Sequence, residues 1–289
     1  MDENLVKKQS AESDTAPDKA SGAPSGNDGP EFRKDLAARL FGTINRAKKE
    51  NALDRREEAL LELKEIQANH PKEGAVLRYL AMGLFNCLVD TQEEKNLQLR
   101  DELLQDLRTL REKYPHDKVV RLASCRGLLS ALMNAKEKND LELRDMLFHE
   151  LGIIQAHHTD DIEVRALYVT GIYQVLAQSK EENDLFRRDV LLRQLTVLQE
   201  RCPEDEDIRQ KLAEVLAKTI RQAKGEKNIE RGFTLLDELR YLCEHFVNDT
   251  VVRKQFINSL SVAADYAKDS KDRELGRSLK EELKNYQSK

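Results

Sequence analysis

An aspartate followed four residues later by an arginine, with an apolar residue directly before the arginine, recurs along this chain at a fixed interval. It stands at Asp117 to Arg121, Asp161 to Arg165, Asp205 to Arg209 and Asp249 to Arg253, 44 residues apart each time. A period of that size marks a supersecondary unit that cannot bury its apolar face alone and must stack on copies of itself. Stacking also suits the length, because 289 residues is long for one conventional core, whereas an array adds core unit by unit.

The columns defined by this period are helical. Ala59, Leu103, Leu147, Leu191, Leu235 and Leu279 form one, Leu63, Leu107, Leu151, Leu195, Leu239 and Leu283 another, and Ile66, Leu110, Ile154, Leu198, Leu242 and Tyr286 a third. Leu53, Leu97, Leu141, Leu185 and Ile229 form a fourth, six residues ahead of the first. Steps of 6, 4 and 3 residues keep all four columns on one helix face, whereas a strand would scatter them over both. Composition agrees: Gly is 12, Pro is 6 and Trp is absent, while helix-favouring residues dominate.

Asn96, Asp140, Asp184, Asn228 and Asp272 stand just before these second helices, where a short oxygen-bearing side chain accepts from the free N–H groups of the first turn. Asp117, Asp161, Asp205 and Asp249 play the same part for the first helices. A small residue recurs in the first helices at Gly83, Gly127 and Gly171 and gives way to Val215 and then Ser259. A glycine inside a helix costs about 1 kcal/mol relative to alanine, so three in register predict close approach of neighbouring hairpins.

These readings predict an all-α chain: residues 1–30 as a disordered tail, then hairpins at about 31–70, 71–114, 115–158, 159–202, 203–246 and 247–289. The tail is rich in Ser, Ala, Gly, Asp and Pro, with Leu5 to Lys8 as its one candidate docking motif. The pattern Asp-x-x-Val-Arg at Asp117, Asp161 and Asp249 resembles the start of the second helix of HEAT repeats. Pro115-His116-Asp117 and Pro203-Glu204-Asp205 resemble the turns of tetratricopeptide repeats. Both resemblances imply a right-handed superhelical α-solenoid of about six hairpins. Both also imply that the helix after Asp-x-x-Val-Arg lines the concave surface.

The chemistry-bearing residues point away from catalysis. There is no phosphate-cradling glycine loop and no nucleophile elbow, and His149-Glu150 lacks the second histidine of a zincin because residue 153 is Ile. His157 and His158 are adjacent and diverge on a helix, so no metal and no cofactor is expected. Cys87, Cys125, Cys202 and Cys243 never form a CxxC pair, which suits reduced thiols and a cytoplasmic setting. Neither a signal-peptide core nor a membrane span is expected, since nowhere do about 18 apolar residues run together.

What remains is binding. Basic and acidic residues number 48 and 53, a net charge of -5 with no basic block, so the charge gives nucleic-acid binding no electrostatic support. Two arginine ladders stand out: Arg121, Arg165, Arg209 and Arg253 on the first helices, and Arg56, Arg100, Arg144 and Arg188 on the second. They are read as clasps to turn aspartates, with an acidic partner or nucleic-acid phosphates as the alternative. The variable columns of the first helices carry Tyr79, Met82, Phe85 and Val89, then Leu129 and Met133, then Tyr173, fading to Ala217, Arg221, Ser261 and Asp265. With Asn86, Arg126 and Gln174 as polar neighbours, these predict an apolar groove for a protein or peptide. The expected role is a non-enzymatic scaffold or adaptor, with a non-catalytic subunit of an enzyme complex as a further alternative.

Overall fold

The computed structural model describes residues 29–50, 52–94, 96–137, 140–181, 184–269 and 272–288. Among them are twelve α-helices: α1 Pro30–Glu50, α2 Leu53–Asn69, α3 Gly74–Glu94, α4 Leu97–Lys113, α5 Lys118–Glu137, α6 Leu141–His157, α7 Ile162–Glu181, α8 Leu185–Arg201, α9 Glu206–Gly225, α10 Ile229–His245, α11 Thr250–Asp269 and α12 Arg273–Gln287. The expected tail, with Leu5 to Lys8, lies outside the described residues except for Gly29 and Pro30, and Pro30 opens α1, a position where the missing N–H of proline costs nothing.

The helix starts follow from local chemistry. Asn96, Asp140, Asp184, Asn228 and Asp272 each accept a hydrogen bond from the backbone N–H three residues on, at 2.9 to 3.2 Å. Asp117 accepts from Val119 and Val120, Asp161 and Asp249 repeat the arrangement on α7 and α11, and Asp205 accepts from Ile208 on α9. Ala52, before α2, provides no such cap.

The odd-numbered helices touch one another in sequence order, α1 on α3, α3 on α5 and so on to α11, making one layer. Each even-numbered helix packs on the odd helix before it and, for α2 to α10, on the one after it, while among the described residues the even-numbered helices meet one another through side chains rather than by close backbone approach. Between the layers lies a continuous core that holds Leu63, Leu107, Leu151, Leu195 and Leu239. One expected column does not join it. Leu53, Leu97, Leu141, Leu185 and Ile229 are 37 to 42% exposed, because each is the first residue of its helix and projects beyond the edge of the layer it faces.

The glycines at 83, 127 and 171 face side chains of preceding helices at short range. A Cβ on Gly127 would lie 2.9 Å from methyl carbons of both Leu107 and Leu88, and one on Gly171 would lie 3.0 Å from Leu151. Gly83 is similarly close to Ile44, at 3.1 Å. Val215 takes this place on α9, and α7 and α9 pack more sparsely than any other touching pair.

Candidate partner-binding face

The residues expected to form a groove fall on α3, α5 and α7, consecutive helices of the first layer. Met82 and Met133 are 41% and 44% exposed. Tyr79, Phe85 and Tyr173 are half-buried and packed on the core, and the Tyr79 ring lies 5.8 Å from that of Phe41. Their rings therefore serve the core on one side and present an edge on the other. Leu129 and Gln174 are half-buried beside them. Asn86 donates to Asn45 Oδ1 at 2.8 Å, tying α3 to α1, while exposed Arg126 lies 3.6 Å from Glu163. Ala217, expected on the same surface, is instead buried. A methyl side chain on α9 is too short to reach past its neighbours.

At Tyr173 the face changes character. Lys218 Nζ sits 4.2 Å from the centre of the Tyr173 ring and Lys211 Nζ 5.2 Å from it, an arrangement that favours the cations electrostatically. Burial, and then the neighbouring charge of Arg221, push the Lys218 ammonium below its ordinary range. A repelled, partly desolvated cation gains from an incoming anion. Sequence reading missed Lys211 and Lys218. The available signal was that they stand in the columns of Tyr79 and Asn86, so polarity changes there without loss of helical register.

The first-helix arginines are engaged within the chain. Arg121 donates twice to Asp161, Arg165 twice to Asp205, and Arg209 to Asp249 at 2.9 Å. Each arginine thus clasps the capping aspartate of the following hairpin rather than its own. Arg253 donates instead to the Tyr286 carbonyl on α12 at 2.8 Å. Leu77 holds the corresponding place on α3, so Asp117 caps α5 without a clasp from that column. Burial raises the Asp161 carboxyl, but the hydrogen bonds from Arg121 and Val164 and the charge of Arg121 outweigh it, leaving the group below the usual carboxylate range. Asp249 is lowered in the same way, with Val252 and Arg209 overcoming its burial.

The second arginine ladder departs from expectation. Arg56, Arg100, Arg144 and Arg188 are only 0 to 6% exposed, and none bonds a turn aspartate of the clasping set. Arg56 pairs with Asp90, Arg100 with Asp101, Arg144 with Asp145 and Arg188 with Glu226. The second helices turn this column toward the first layer, so the guanidinium groups lie out of reach of an external phosphate or acidic partner.

The remaining reactive groups do not assemble. His157 bonds the Ile153 carbonyl, burial and then Arg121 lower His158, and among the described residues no three potential ligands converge on a metal position. Burial pushes the Cys125 thiol up to about 12, which keeps it protonated and poorly nucleophilic. No described helix is long and apolar enough to cross a membrane. No protein-family model and no curated protein matches this sequence.

Proposed function

We propose that this protein is a non-enzymatic interaction scaffold. In this reading the hairpins form a right-handed superhelical α-solenoid with a 44-residue repeat, resembling HEAT or tetratricopeptide arrays, and hold a protein segment along a concave face made by the first-helix layer. The observation that carries the proposal is the pair Met82 and Met133, exposed on adjacent helices of one layer beside the ring edges of Phe85 and Tyr173. Methionine adapts its shape to an apolar ligand at little entropic cost beyond its own ordering. Exposed apolar side chains grouped on one face are the usual mark of a docking surface.

The change at Tyr173 specifies the ligand further. A segment with apolar residues over α3 and α5 and an acidic residue near Lys218 and Arg221 complements the face along its length. The arginine clasps serve the stack, and the buried ladder serves the interior, so neither is assigned to the partner.

The test is affinity capture by the full chain compared with the variants Tyr79→Ala, Phe85→Ala and Tyr173→Ala, each checked for retained helicity. Capture that falls with Phe85 and Tyr173 and holds for an exposed control such as Phe186→Ala supports the groove. Equal capture by all of them sinks it. Capture that collapses with added salt whichever residue is changed would instead favour nucleic acid.

A further inference from the structure

The second-helix layer carries a column of cross-hairpin ion pairs that, among the described residues, is missing at two junctions, α6–α8 and α8–α10. Lys64 on α2 reaches Asp106 on α4 at 2.6 Å. Arg108 and Arg111 on α4 reach Glu150 on α6 at 2.8 to 2.9 Å, and Arg240 on α10 reaches Glu282 on α12 at 2.8 Å. Between α6 and α8 the basic position is Gly152, and the space is taken by Tyr168, which stacks on Phe148 and bonds Gln194. Between α8 and α10 the basic position is Thr196 and the acidic one is Glu238. Among the described residues no cation pairs with Glu238 there, and no aromatic side chain fills the gap as Tyr168 does.

The gap is a cleft. Cavities of about 740 and 630 Å³ meet at Thr196, Thr234 and Glu238 between α8 and α10. The larger has an apolar lining of Pro203, Phe246 and Tyr241, the last 56% exposed and resting on His245, above the buried Leu212, Leu216 and Leu242. Glu200, Asp237 and Glu238 line its walls. Asp237 is paired with Arg240 on its own helix. The smaller cavity ends at the Arg231–Asp189 pair, which bridges α10 to α8. Partial desolvation, and then the charge of Asp189, raise the Glu238 carboxyl above the usual range. That is the opposite of Glu150, which burial raises but Arg108 and Arg111 bring below it.

We infer that the α8–α10 cleft is a second docking site, distinct from the first-helix face, and that it takes a peptide segment of a partner protein with a lysine or arginine beside large apolar side chains. The partner's cation stands where Lys64, Arg108 and Arg240 stand at the other junctions and pairs with Glu238. Its apolar side chains pack on Pro203, Tyr241 and Phe246. The charge complementarity and the apolar lining both point to this class of ligand, and the cations in this column at other junctions show that the position accommodates one.

The experiment measures fluorescence anisotropy of a short labelled peptide with one arginine between leucines, and of its counterpart with glutamate for arginine, against the full chain at low salt. Saturable binding of the arginine peptide is expected, with the glutamate peptide failing to bind. Thr196→Arg supplies the missing guanidinium internally and should weaken the arginine peptide by up to about fivefold, the equivalent of one exposed ion pair. Glu238→Gln should weaken it comparably, and decides the matter if Thr196→Arg does not fold. Met82→Ala and Met133→Ala should leave this affinity unchanged, which separates the site from the proposed concave face. No binding, equal binding of both peptides, or equal binding by the wild type and Glu238→Gln would overturn the proposal. Tighter binding by a full chain carrying Lys7→Glu and Lys8→Glu would also overturn it, since the occupant would then be the chain's own Leu5 to Lys8.

Discussion

Two seams of this molecule are built from corresponding helices with different residues at the decisive places. Where α3 meets α5 and α4 faces α6, Gly127 admits methyl groups of Leu88 and Leu107 to the distance a Cβ would occupy, and Glu150 is held by Arg108 and Arg111. Where α7 meets α9 and α8 faces α10, Val215 replaces the glycine, Thr196 replaces the arginine, and Glu238 is left facing Asp189. The first seam is closed in both layers. In the second, α7 and α9 touch only sparsely, with Val215, Tyr173 and Lys218 around a small cavity, and the α8–α10 cleft lies open. A few side chains thus convert a packing interface into a candidate ligand site while the helices keep their registers.

The sharpest way to break the contrast is to open the closed seam. Gly127→Val should cost about 1 to 3 kcal/mol through overpacking against Leu88 and Leu107, read as a lower urea midpoint. An unchanged midpoint would mean that glycine is not what holds α3 and α5 together.

Glu150→Gln is next, at about 1 kcal/mol, a value discounted for its partial exposure. Its sign with pH is fixed by the lowered carboxyl: the stabilisation is full above the unfolded range near about pH 4.3 and is lost as pH falls through the lower folded value. The wild type and variant should therefore converge in acid. Glu238 runs the other way. With its folded value raised, it opposes folding at neutral pH and is relieved on protonation, so Glu238→Gln should melt slightly higher than the wild type at pH 7 and equally in acid.

Thr196→Arg should close the open seam by roughly 0.2 to 1 kcal/mol, fading with added salt. A thermal melt at two ionic strengths checks this. The smallest effect concerns Lys227, whose φ of 57° lies in the left-handed region at the α9–α10 turn. Lys227→Gly should relieve the strain against a greater loss of chain entropy, for a net gain of about 0.5 kcal/mol, measured by the same melt.

Much of the architecture was legible in the residues. Capping aspartates and asparagines, the leucine columns from Leu63 to Leu239, and the glycines at 83, 127 and 171 act within one helix or at a fixed offset along the chain, so their periodicity appears in one dimension. The candidate binding face was legible only in part. Phe85 and Tyr173 share a helical column with Ala217, yet how much of each ring stays exposed depends on how closely neighbouring helices approach. The leucines at the starts of the second helices show the same limit, since helix-face geometry cannot say where a layer ends.

By itself the sequence determined that the chain is helical, where its capped helices begin, and which residues recur at decisive positions, because caps, propensities and apolar spacing are local. Only the tertiary structure decided which partner each charge found. Arg121 reaches forward to Asp161, Arg56 turns inward to Asp90, and Glu238 faces a threonine across the α8–α10 cleft. The physical reason is that an ion pair needs two groups brought within about 4 Å, and residues some 40 positions apart meet at that distance only when one helical layer has been laid on the next.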